Sequence, residues 1–166
     1  MGKGPSGPVA FSHVPNVAAV ATLLDPPCPS LLATMLILES LPVELIGEIL
    51  SALDLDSLIT VSYLSRRLHQ VSSDAQVNPW RRPILLNLRS NVYEPCFKTL
   101  SVRTIVPRHN WVEILSTADS HFLLFEATLP HLTDDEWKEC FRRRFLPSMQ
   151  QWKRSSNWGE AFKKYV

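Results

Sequence analysis

Residues 41–68, LPVELIGEILSALDLDSLITVSYLSRRL, constrain the fold of this 166-residue chain more than any other stretch. Leu41, Leu45 and Ile49 recur every four residues, and Ile46, Leu50 and Leu53 widen them into a stripe, the period of a helix buried on one face. Pro42 suits a first helical turn, where its missing N–H costs nothing, and Glu44 lies at the positive end of the same helix dipole. Asp54 predicts the N-cap of a second short helix carrying Leu55, Leu58 and Val61. Ser62 or Ser65 predicts the cap of a third, with Leu64, Leu68 and Val71 on one face. The expectation is three short helices with tight connections. So small a unit has too little interior for this many Leu and Ile, so part of its apolar surface calls for a partner.

The flanks differ from this stretch in opposite ways. Residues 1–38 hold six of the 13 prolines and three of the five glycines, with only Lys3 and Asp25 charged, and are expected to be irregular. The apolar runs 17–24 and 31–38 are eight residues each. Both fall short of the roughly 20 residues a membrane span needs, and no secretory cleavage pattern accompanies them. Met1-Gly2-Lys3-Gly4-Pro5-Ser6 fits the short myristoylation pattern, which arises often by chance. Downstream, Asn110-Trp111-Val112-Glu113 and Thr133-Asp134-Asp135-Glu136 each read as a capping residue with Glu three positions later. Leu132 and Trp137 occupy the staple positions of the second start. Trp137, Phe141 and Phe145 then form a stripe, Arg142–Arg144 fill a last turn and Pro147 ends the helix. Asn157 opens a further helix that reaches Val166 after barely two turns. Isolated helices under about 12–15 residues are marginal. Either this end packs tightly or the sequence is the front part of a longer protein, and the second is the expectation. The fold class is therefore all-α: an irregular segment 1–38, a three-helix module 39–82 and a small helical region 83–166.

Little in the chain points to catalysis. Net charge is +1, so no global field draws it to nucleic acid or membrane. Cys28, Cys96 and Cys140 are odd in number and far apart, as reduced intracellular thiols are. Phosphate loops and CxxC, HExxH or GxSxG motifs are absent from the sequence. His109, His121, His131 and Cys140 lie at separations unlike metal-ligand spacing and read as isolated residues. Cys140, three positions after Trp137, reads as a small core residue rather than a nucleophile. Asp134-Asp135-Glu136 reads as the acidic first turn of a helix. Leu86-Asn87-Leu88-Arg89-Ser90-Asn91 echoes a leucine-rich repeat tail, but one copy builds no solenoid. No catalytic residue, metal site or cofactor is expected. From Trp137 to Val166 there are eight Lys or Arg against two Glu, a local balance of +6, with seven aromatics interleaved. That composition suits a single-strand nucleic-acid platform, but the helical spacing of the aromatics favours a core face with a solvated basic back.

The order Leu41-Pro42-x-Glu44-Leu45-x-x-x-Ile49-Leu50-x-x-Leu53-Asp54-Leu55-x-x-Leu58 resembles the F-box. So do Val61-Ser62, Ser65-Arg66-Arg67-Leu68, Ser72-Ser73-Asp74 and Trp80-Arg81-Arg82 after it, together covering residues 39–82. Leu68 stands where the family often has Trp, and Gln76–Pro79 adds residues before Trp80. The segments RTIVPRHNWVEILS, FLLFEATLPHLTDDEW and CFRRRFLP look like the region after the F-box in a group of fungal F-box proteins. The resemblance implies docking to the Skp-type adaptor of SCF ubiquitin ligases, and through it to a cullin-RING assembly. It implies adaptor-binding roles for Leu41, Pro42, Leu45, Ile49, Leu50, Leu53, Leu55, Leu58, Val61, Leu64, Leu68 and Trp80, several of which serve equally as internal core. A target protein would be held by the later region, with Trp111, Trp137, Trp152 and Trp158 as candidate hot spots. The implied protein is an intracellular, non-enzymatic substrate receptor. The alternatives are an adaptor-binding scaffold without ubiquitination output and a basic–aromatic nucleic-acid binder.

Overall fold

The computed structural model describes residues 37–152 and 157–166, with the side chains of 151 and 152 excepted. The irregular segment expected at the N-terminus, its myristoylation pattern and Cys28 lie outside the described residues. Residues 37–40 are already helical, and residues 37–166 form one compact unit. Among the described residues the architecture is all-helical.

Helix α1 spans Val43–Ser51, directly after Pro42. Asp54 then turns the chain into α2 (Leu55–Ser62), its carboxylate accepting the Ser57 amide at 2.7 Å. Ser65 opens α3 (Arg66–Ser73), its hydroxyl accepting the Leu68 amide at 3.2 Å. Of the two serines considered for that cap, Ser65 is the one used. Helix α3 packs against both α1 and α2. Ile46, Leu50, Leu55, Leu58, Leu68 and Val71 meet in the core between them. Each such side chain contributes about 1.5–3 kcal/mol on burial.

Trp80 closes this core. It is fully buried, and its indole N–H donates to the Ser72 carbonyl at 2.7 Å. Leu68, standing where the family often has Trp, is also fully buried. Helix α4 (Arg81–Ser90) starts at the next residue, accommodates Pro83 near its start, and ends at left-handed Asn91 (φ 53°). The residues that echoed a leucine-rich repeat form its second half. Helix α4 packs on α1 and also on α5 (His109–Thr117), so the boundary expected at residue 82 falls inside a helix shared by both regions.

The start of α5 differs from the capping box expected at Asn110–Glu113. The helix begins one residue earlier, with Arg108 at the cap position and no side-chain cap bond. Asn110 is buried inside the first turn, where its amide and that of Asn78 exchange hydrogen bonds of 3.1 and 3.0 Å. A buried amide is satisfied better by a complementary amide than by a nearby backbone N–H. Asn78 also meets the His109 ring at 2.8 Å and holds a positive φ of 40°, in the segment that lengthens the approach to Trp80.

Two irregular helical segments, Pro95–Val102 and Phe122–Glu126, flank α5. Helix α6 (Asp134–Arg144) carries the expected capping box between Thr133 and Glu136 and the expected Arg142–Arg144 in its last turn. A short 3-10 segment, Pro147–Trp152, follows. Helix α7 (Trp158–Tyr165) is capped by Asn157, which accepts the Gly159 amide at 2.7 Å. It packs along α6, with Phe162 5.4 Å from Trp137 and Trp158 5.4 Å from Phe141 between ring centres. That burial supplies what so short a helix lacks alone.

Candidate functional site

Packing of α1 to α3 leaves several large apolar side chains of the module exposed. Leu45 and Ile49 lie one turn apart on α1 and are 51% and 44% exposed. At the α2–α3 turn, Tyr63 and Leu64 are 55% and 53% exposed. Pro42 and Val43 are exposed as well. Large apolar side chains held out on packed helices are surface that favours being covered.

The residues named from sequence divide into three groups. Pro42, Leu45, Ile49 and Leu64 are exposed. Leu41, Leu53 and Val61 are half-buried against the core. Leu50, Leu55, Leu58, Leu68 and Trp80 are buried in it. These last five shape the helices, and in this conformation their side chains face the interior. Val43 and Tyr63 are exposed apolar residues absent from the sequence-based set. Tyr63 stands at the C-cap of α2, where helical periodicity no longer speaks for it.

A second determinant escaped sequence reading. The Glu94 carboxylate accepts the backbone N–H of Leu55 at 3.0 Å and of Asp56 at 3.3 Å, capping α2 from 39 residues away. Its other oxygen accepts the Asn87 amide at 2.8 Å, and the Glu94 backbone N–H donates back to Asn87 at 2.8 Å. The module's second helix is thus held at its N-terminus by the downstream chain. An Arg67 guanidinium nitrogen, donating to the Leu41 carbonyl at 2.8 Å, ties the entry of α1 to α3 in the same manner.

Downstream, Trp111 and Trp137 are buried and Trp158 is half-buried, while the Trp152 side chain lies outside the described residues. Trp111 and Trp137 are therefore core groups rather than surface hot spots. The basic–aromatic stretch also turns inward: Phe141 and Phe162 are buried with Trp137, and Phe145 and Tyr165 pack against them. Arg142 and Arg143 pair with Glu139, at 3.5 and 2.8 Å.

The thiols are poorly suited to nucleophilic work. Burial pushes Cys140 up to about 12, and burial together with Glu94 pushes Cys96 up to about 11. Among the described residues no three His, Cys, Asp or Glu side chains gather as a metal site. Nor is any helix there long and apolar enough to cross a membrane.

No curated protein and no solved structure matches the chain. A family model does, and it is the F-box-like one, over residues 38–85. Those residues run from the entry of α1 through Trp80 into α4, the stretch that carries the exposed Leu45, Ile49, Tyr63 and Leu64. Residues 38–85 are thus similar to the F-box-like family, and the match is to that stretch of the chain.

Proposed function

We propose that the protein is a non-catalytic substrate receptor of an SCF-type ubiquitin ligase. It docks a Skp-type adaptor through the exposed side of α1 and the α2–α3 turn, and presents a target protein through the region after α4. The observation that carries this reading is the exposure of Leu45, Ile49 and Leu64 on an F-box-like domain whose Leu50, Leu55, Leu58 and Leu68 are buried. Ubiquitin transfer would follow from proximity, since holding a target beside a charged conjugating enzyme raises its effective concentration.

The test is co-purification of the full chain with a Skp-type adaptor, native against the double change Leu45→Asp/Ile49→Asp. Both positions are solvent-facing, so the helical circular dichroism should be unchanged while adaptor binding is lost. An adaptor that ignores the native chain, or binds the folded double variant equally well, overturns the assignment. Ubiquitination of a co-purified protein in a reconstituted ligase then tests target presentation.

A further inference from the structure

Between the Pro95–Val102 segment, the first turn of α5 and the loop before α6 lies a cavity of about 260 Å³. Ser101, Arg103, Thr104, Arg108, Trp111 and His131 line it, and no carboxylate is among its lining groups. The two arginines are in different states. Arg108 is engaged: one guanidinium nitrogen donates to the Glu136 carboxylate at 2.8 Å and to the His131 carbonyl at 2.9 Å. Glu136 is itself held by the Thr133 amide in the α6 cap. Arg103 takes part in none of the ion pairs among the described residues. Its Nε and the Ser101 hydroxyl are buried without a hydrogen-bond partner in the protein.

A buried guanidinium N–H without an acceptor is uncommon, because it loses water and gains nothing in return. Here two neighbouring donors are left in that condition beside a cavity that offers further donors in Thr104 and His131. Arginine's planar fork matches the oxygens of an oxyanion, and hydroxyls complete such a shell as neutral donors. A carboxylate has two oxygens, whereas a phosphate group presents three to this wider set of donors. Trp111, Val106 and Leu132 add an apolar wall for whatever carries the group.

We propose that this cavity binds a phosphate group, with Arg103 as its cation and the Ser101 and Thr104 hydroxyls as supporting donors. The carrier is either free phosphate or a phosphorylated side chain of a peptide. On the substrate-receptor reading the latter belongs to the target, and only that attribution rests on the reading.

The probes are inorganic phosphate, phosphoserine and acetate, titrated into the ¹⁵N-labelled full chain while the Ser101, Thr104 and Trp111 signals are followed. Saturable shifts with both phosphate probes are expected, weakened about tenfold or more in Arg103→Met and less in Arg103→Lys. Tighter binding of phosphoserine than of inorganic phosphate assigns the site to a side-chain phosphate. Equal binding assigns it to the free anion. Arg103→Met removes an unpaired charge, so its melting temperature should not fall. Absence of saturable shifts, acetate binding as tightly as phosphate, or full affinity in Arg103→Met overturns the proposal. Adaptor co-purification should be indifferent to phosphate and to Arg103→Met, so failure here and failure of the docking reading are separate results.

Discussion

Removing the Glu94 carboxylate should loosen a helix that lies far from it in sequence. In Glu94→Ala, the Leu55 N–H and the Asn87 amide lose acceptors at 3.0 and 2.8 Å in half-buried surroundings, while the Asp56 N–H can turn to water. A half-buried hydrogen bond lost from one side costs about 1 kcal/mol, and a negative charge withdrawn from a helix N-terminus adds about 0.5 kcal/mol. The sum is about 2–2.5 kcal/mol, a fall of roughly 5–10 °C in melting temperature for a chain of this size. Urea unfolding, followed by far-ultraviolet dichroism and by tryptophan fluorescence, measures it directly. Trp80 and Trp111 lie on either side of the Glu94 tie, so both probes should shift together if the regions unfold as one unit. In a double-mutant cycle with Asn87→Ala the two losses should be clearly less than additive, because they share a bond. A Glu94→Ala midpoint within 0.5 kcal/mol of native would refute the argument that the downstream chain caps α2.

Other perturbations have equally definite outcomes. Val77 Cγ1 occupies the space a Cβ at Gly47 needs, so Gly47→Ala should cost about 1–3 kcal/mol in urea unfolding. An unchanged midpoint would mean the α1–Val77 contact yields freely. Asn110→Ala removes both bonds between the Asn78 amide and residue 110, leaving its His109 contact, and should destabilise by about 1–3 kcal/mol, with Asn78→Ala/Asn110→Ala recovering part of the loss. Native Cys140 and Cys96 should resist iodoacetamide at pH 8 and react after unfolding, read by peptide mass spectrometry; rapid native labelling of Cys140 would contradict its burial. The carboxyls of Asp54, Glu126, Glu136 and Glu139 are all held below the usual range. Ser57 and Thr133 backbone amides are the leading cause for Asp54 and Glu136, and Lys98 and Arg143 for Glu126 and Glu139. Depressed folded values place their stabilisation above the unfolded range, near pH 4, and remove it as pH falls through the folded values. The urea midpoint should therefore drop below about pH 4; one that is flat from pH 5 to pH 2.5 would contradict the sign.

The features legible from sequence are those settled within one helical turn. Asp54, Ser65, Thr133 with Glu136, and Asn157 each satisfy a backbone N–H two or three residues away, so residue type and spacing suffice to find them. Asn110 shows where that logic fails, since its partner is 32 residues distant and outcompetes the local cap. Glu94 and the Arg103 cavity are of the same kind, made by contacts that no window of sequence contains. Helix α4 was obscured by Pro83 and by a leucine pattern that suits another fold. Within the F-box-like domain, buried and exposed leucines follow one period. Only the packed helices separate Leu50 and Leu58, which face inward, from Leu45 and Ile49, which do not.

Helix α4 carries a lesson for how such a chain can be cut and inherited. A fragment ending at Arg82 would keep Trp80 but discard Ile84 and Leu88, both buried in the shared core, together with the Glu94 tie to α2. Recombination between related chains succeeds at breakpoints that leave both products folded, and residue 82 is not such a point here. The F-box-like domain of this protein is packed with its downstream helices, and a workable excision has to extend at least past Glu94.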